Sequence, residues 1–112
     1  MKQESTFKFV FGDSPMIKVL DFFLDNREFD YSMTDIAKNS DIGWSTLHGF
    51  WNDIVKLGIV VETRRIGRAK LYKLNRKSAL VKKLVELDNA ISKRMMEQEL
   101  ETQKLNVKVR SV

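Results

Sequence analysis

Residues 34–57 read TDIAKNSDIGWSTLHGFWNDIVKL, a stretch whose spacing predicts two short helices joined by a tight turn. The first starts at Ser32, whose hydroxyl can cap free backbone N–H groups while Asp35, three places on, supplies the partner of a capping box and favourable charge. Ile36 and Ala37 then face inward. Asn39-Ser40-Asp41-Ile42-Gly43 interrupts the helix, because short polar side chains compete for the backbone and glycine loosens it; Ile42 is expected to plug the turn. From Trp44 the apolar residues recur at Leu47, Phe50, Trp51, Ile54 and Leu57, a one-sided stripe of helical period that ends at Gly58, the expected left-handed terminator. That stripe is expected to be core. At about 100° per residue, the face opposite Leu47 carries Ser45, Gly49, Asn52 and Lys56, with His48 on its flank. Glycine inside a helix costs roughly 1 kcal/mol relative to alanine. Close approach of a partner at Gly49 accounts for that cost, and so does simple tolerance in a well-packed helix.

On the N-terminal side, Asp13-Ser14-Pro15 is a helix start, a capping pair followed by proline where its missing N–H does no harm. Ile17, Leu20 and Leu24, with Val19 and Phe23, give this helix its buried stripe. Asn26–Tyr31 is a surface connection, with Phe29 or Tyr31 folding back onto the core. Earlier still, Phe7, Val10 and Phe11 suit a helix, whereas Phe7, Phe9 and Phe11 suit a strand; a short helix ended by Gly12 is expected. Residues 1–13 are thus read as an N-terminal aromatic segment.

After Gly58 the period changes. Ile59, Val60, Val61, Glu62, Thr63 and Arg64 are mostly β-branched, and Leu71, Tyr72 and Leu74 follow a glycine-centred turn at Arg65-Ile66-Gly67-Arg68, so a two-stranded hairpin is expected. The order, three helices and then a hairpin, is that of a winged helix-turn-helix domain. Residues 14–77 resemble the winged helix-turn-helix transcriptional regulators of archaea and bacteria. The resemblance is carried by Thr34-Asp35-Ile36-Ala37, by Ile42 through Leu47, by Leu57-Gly58-Ile59-Val60 and by the hairpin ETRRIGRAKLYKLN. The N-terminal FGDSP, and a hairpin followed by a long helix, look particularly like small archaeal-type regulators. The resemblance implies an α+β, mostly α, fold with a three-helix core and a two-stranded wing. It also implies that helix 44–57 enters the major groove of double-stranded DNA and that the wing, 59–74, grips the flanking backbone.

The charges agree independently. The chain carries 20 basic and 15 acidic residues, a net charge of +5, and residues 59–77 alone hold seven basic side chains against the single Glu62. Arg64, Arg65, Arg68 and Lys70 are therefore expected to neutralise phosphates; a solvated basic hairpin without a partner is the plainer alternative. Ile66, beside the turn, packs locally or touches a minor groove. Helix 44–57 departs from typical members of the family, since it exposes only Lys56 as a cation and carries Asp53. Ser45, His48 and Asn52 can hydrogen-bond base edges, and Trp44, with Thr46 beside it, can stack or pack. Specificity is then expected to lean on DNA shape. The expected DNA-facing set is Trp44, Ser45, Thr46, His48, Gly49, Asn52 and Lys56 on the helix, with Arg64, Arg65, Arg68 and Lys70 on the wing.

From about Ser78 a last helix is expected to run to Leu105, with Leu80, Leu84, Leu87 and Ile91 in a 4-3-4 spacing before Met95 and Leu100 continue a weaker stripe. Some 40 Å long at 1.5 Å per residue, it outlasts one domain, so a homodimer through this C-terminal helix is expected; folding back on its own domain is the alternative. Residues 106–112 read as a flexible basic tail.

Composition limits the rest. With 112 residues and one proline, a single domain with its own core is expected. The absence of cysteine and a lone histidine argue against disulfides, metal and cofactors, and an intracellular, cytoplasmic location fits. No segment approaches the ~20 apolar residues of a membrane span. No nucleophile motif, glycine-rich phosphate loop or carboxylate pair points to an enzyme. Two functions remain: a dimeric DNA-binding regulator, and a winged-helix adaptor that holds another protein of a transcription or replication assembly.

Overall fold

The structure, a computed structural model, describes residues 5–110, with side chains to 106. Five helices and three strands follow in the order α1 (Thr6–Phe11), α2 (Pro15–Asp25), β1 (Tyr31–Ser32), α3 (Met33–Asn39), α4 (Trp44–Lys56), β2 (Val60–Ile66), β3 (Ala69–Leu74) and α5 (Ala79–Arg110). The starts of α2 and α3 have local causes. Ser14 caps α2 by accepting from Ile17 N, with Pro15 at the first helical position, and Ser32 caps α3 by accepting from Asp35 N.

Both helices of the central pair end alike. At the end of α3, Ile42 N donates to Ala37 O and Asp41 N to Lys38 O; at the end of α4, Ile59 N donates to Ile54 O and Gly58 N to Val55 O. This crossed pair is a Schellman closure, which places one residue in the left-handed region. Gly58 takes that position after α4 (φ 72°) and Asp41 after α3 (φ 57°). Aspartate tolerates the strain better than most side chains, so the α3–α4 turn does not depend on its glycine. Ile42 closes the turn by packing, half-buried, on the core.

The core gathers one face from each element: Phe7, Val19, Phe23, Leu24, Ile36, Ala37, Leu47, Trp51, Ile54, Ile59, Val60, Leu74 and Val81. Trp51 meets Tyr72 edge-on at 5.0 Å, which seats α4 against β3. The N-terminal aromatic segment contributes to this core: α1 buries Phe7, donates Ser5 Oγ to Asp21 at 2.6 Å and joins Thr6 to Ser92 at 2.9 Å. Met1–Glu4 of that segment lie outside the described residues.

Four expectations are corrected. The sheet has three antiparallel strands in the order β1-β3-β2, not two, because Tyr31 and Ser32 pair with Tyr72 and Leu71; Tyr31 folds back onto Phe22 (4.8 Å) while Phe29 stays exposed. Trp44 and Leu57, at the two ends of the expected core stripe, are each 55% exposed, since the domain underneath is shorter than the helix. The last helix begins at Ala79 and continues to Arg110, so residues 106–110 are helical where a flexible tail was expected. No glycine or proline interrupts them; Ser111 and Val112 lie outside the described residues.

The fourth concerns what α5 packs against. Its first turns belong to the domain: Val81 is fully buried, Leu84 and Val85 pack on the core, and the buried Asp88 meets Arg27 at 2.7 Å. Arg27 also donates to Asn89 and to Leu24 O. A second face, about 100° round the helix, leaves Leu80 and Leu87 exposed, with Leu84 and Ile91 half-covered between them. At ~48 Å the helix gives the described molecule its longest dimension, 65 Å. Among the described residues, no helix is long and apolar enough to cross a membrane.

Candidate nucleic-acid interface

Burial of Leu47, Trp51 and Ile54 fixes which way α4 faces. The residues a helix of this period turns outward are then Ser45, His48, Gly49, Asn52 and Lys56, and all five are exposed. A Cβ built at Gly49 meets nothing within 4 Å, so no packing inside the molecule calls for glycine there. Thr46 is exposed as well, but two residues before His48 it points to the other side of the helix. Trp44 lies over His48 with ring centroids 3.5 Å apart and planes at 37°. Trp44, His48 and Asn52, spaced by four, therefore line one edge of α4 as two rings in tilted contact followed by an amide. Val55, Leu57 and Val61 add exposed apolar surface at the far end of the helix and the start of β2.

The β2–β3 hairpin turns through Gly67 and Arg68, with Ile66 opposite Ala69 and Gly67 at φ 60°. A two-residue loop of this kind needs a left-handed residue, which explains the glycine. The register slips between Glu62 and Arg64, leaving Thr63 as the extra residue of a bulge. The bulge turns Thr63 and Arg64 together onto one carboxylate. Thr63 Oγ1 donates to Asp30 at 2.5 Å, and Arg64 donates from Nε at 3.0 Å and from a terminal nitrogen at 3.2 Å. These bonds, Arg64's first and Thr63's second, hold the Asp30 carboxyl below its ordinary range and raise the guanidinium in return.

The hairpin's positive charge is thus partly answered from within. Arg64 belongs to Asp30, Arg65 lies 3.3 Å from Glu62, and Glu28 takes Arg76 at 2.6 Å and Lys73 at 3.8 Å. Of the four cations expected to meet phosphate, only Arg68 and Lys70 have no carboxylate within 4.0 Å among the described residues, and both sit at the tip. Sequence reasoning missed Asp30 and Glu28. Nothing local gives them away, because each lies in a connection more than thirty residues from its partner. Ile66 is 60% exposed at the tip and stands outside the core cluster.

A second polar group lies behind the helices. Asp21 and Asp25 on α2 and Asp88 on α5 come close together. Although Asp25 is exposed, partial burial of its carboxyl, and then the like charges of Asp21 and Asp88, push it above the ordinary range, against the weaker pull of Arg27 and Lys8.

No protein-family model and no curated protein matches the chain. Solved structures do resemble it. A possible transcriptional regulator from Methanosarcina mazei Go1 is similar at 14% identity and a TM-score of 0.50, over 77% of this chain and 74% of that one. NadR, solved in complex with 4-hydroxyphenylacetate, is similar at 20% identity and a TM-score of 0.54, over 82% of this chain and 70% of that one. Sso10a-2, a DNA-binding protein from Sulfolobus solfataricus, aligns at 17% identity over 79% of this chain and 92% of that one, with a TM-score of 0.49 that carries no argument. At such identities the likeness concerns the fold, a mostly helical chain with a small antiparallel sheet.

Proposed function

We propose that this chain is a sequence-specific regulator of transcription that binds double-stranded DNA as a winged helix-turn-helix protein. Helix α4 lies in the major groove through Trp44, Ser45, His48, Gly49, Asn52 and Lys56, with Thr46 at its margin. The β2–β3 hairpin is the wing. Arg68 and Lys70 grip phosphate, Arg65 assists by exchanging Glu62 for a backbone phosphate, and Arg64 braces the wing against Asp30. Two copies join through the exposed face of α5. The observation that carries this reading is the outward edge of α4, polar, exposed and open at Gly49, followed directly by a hairpin whose unpaired cations are at its tip.

The exposed Val55, Leu57 and Val61, together with a single cation on α4, favour a second reading, an adaptor that holds a protein rather than DNA. A salt titration of binding to random duplex DNA separates them. Each phosphate contact adds about 0.9 to the magnitude of the slope of log affinity against log salt, so four to six contacts from a dimer give a slope of about −3.6 to −5.4. An adaptor gives weak binding and a shallow slope.

A further inference from the structure

The chemistry of the α4 edge narrows what it can read. Guanine is best recognised by two donors from one arginine or lysine to O6 and N7, and the common partner of adenine is the asparagine or glutamine amide. No arginine lies on α4, and its one lysine, Lys56, is in the last turn, one turn beyond Asn52. Asp53, the group suited to cytosine, is turned away from Asn52 by about 100° and still further from His48 and Trp44. His48 can offer a guanine at most one bond. What remains on the row is an amide and a large apolar ring. That ring lies over His48 with centroids 3.5 Å apart while 55% of the Trp44 residue stays open to the outside. In a major groove the apolar feature such a surface meets is the 5-methyl group of thymine.

Resting on the placement of α4 in the major groove, we infer that this helix selects A·T base pairs, the Trp44 indole packing on a thymine methyl group and Asn52 pairing with an adenine. Eight residues of helix span ~12 Å, so at 3.4 Å per base pair the two contacted pairs are at most about three to four apart.

The test uses the full chain and duplexes that it selects from a random-sequence pool. Deoxyuridine then replaces thymine one position at a time, which removes the methyl group and leaves pairing intact. The expected result is a selected core rich in A·T and, at one thymine, a loss of about fourfold in affinity, the ~0.8 kcal/mol of one buried methyl at 1.4 kcal/mol per tenfold. Trp44→Ala should bind the thymine and deoxyuridine duplexes equally, and Trp44→Phe should keep the difference. Trp44→Gln repeats the comparison should the alanine variant melt early. A G·C-rich core, or indifference to deoxyuridine at every position, overturns the inference while DNA binding stands. A methyl effect that survives Trp44→Ala overturns the role of Trp44. A pool that never enriches, with no salt-dependent binding, overturns the DNA reading itself.

Discussion

Replacing Gly49 by leucine puts stability and binding in opposition. Glycine lies about 1 kcal/mol below alanine in a helix interior and leucine close to alanine, so the exchange should stabilise α4 by roughly 0.8 kcal/mol. The gain is not offset by a clash, since a Cβ at this position meets nothing within 4 Å. For a chain of 112 residues the melting temperature should rise by about 3–5 °C. The same side chain fills the space through which α4 approaches a groove floor, so affinity for a selected duplex should drop at least tenfold, and Gly49→Ala should show the same stabilisation with a smaller loss. Circular dichroism melts and fluorescence anisotropy at one fixed salt concentration read both effects. A lower melting temperature would place Gly49 in a contact that the single chain does not show. A stabilised protein that binds as before would remove this edge from the DNA interface.

Three further outcomes follow from the same geometry. Arg68→Ala combined with Lys70→Ala should flatten the salt slope by about 1.8 per subunit at 0.9 per phosphate and spare sequence preference, whereas Arg64→Ala, which removes a cation already held by Asp30, should leave the slope alone; the reverse pattern in a salt titration refutes the assignment. Leu87→Glu should turn a dimer into a monomer in sedimentation without changing the circular dichroism spectrum, because Leu87 is exposed on the single chain; deleting everything after Lys77 would instead strip Val81 from the core and unfold the domain. Asp25→Asn should raise the melting temperature at pH 7, by an amount that shrinks as pH falls through the carboxylate range. The native carboxyl holds its proton more tightly than the unfolded chain does, so its contribution favours folding at acid pH and is lost as pH rises through the native value; a gain that grew toward acid pH would contradict this.

The parts of the fold that were legible in the sequence are those with a period or a local stop. Leu47, Trp51 and Ile54 fix the inner face of α4 by spacing alone, Gly58 its end, Ser14-Pro15 and Ser32 the starts of α2 and α3, and Gly67 the hairpin. What was not legible lacks such a signal. A strand of two residues, β1, has no period to read. The helix stripe is blind to how far the body beneath it extends, so Trp44 and Leu57 counted as core when they overhang it. On α5 two apolar faces about 100° apart merge into one broad band: Leu80, Leu84, Leu87 and Ile91 were evident, and the inward Val81, Val85 and Asp88 were not. The candidate site divides the same way. Its helical edge follows from the stripe, but the partition of the wing's cations between carboxylates and solvent depends on Asp30 and Glu28, whose proximity only the folded chain creates.

Mechanically, the β2–β3 hairpin is a cantilever. Its root is fastened on both sides, by β1 along β3 and by Asp30 to Thr63 and Arg64, while the ladder from Arg65 to Lys70 has only its own cross-strand bonds. Bending is therefore confined to the two residue pairs of the tip, Arg65 with Lys70 and Ile66 with Ala69, and torque on the tip passes through Asp30 to the segment that begins α3. A load on Arg68 or Lys70 reaches the first helix of the central pair through the backbone from Asp30 to Ser32, without having to cross the core.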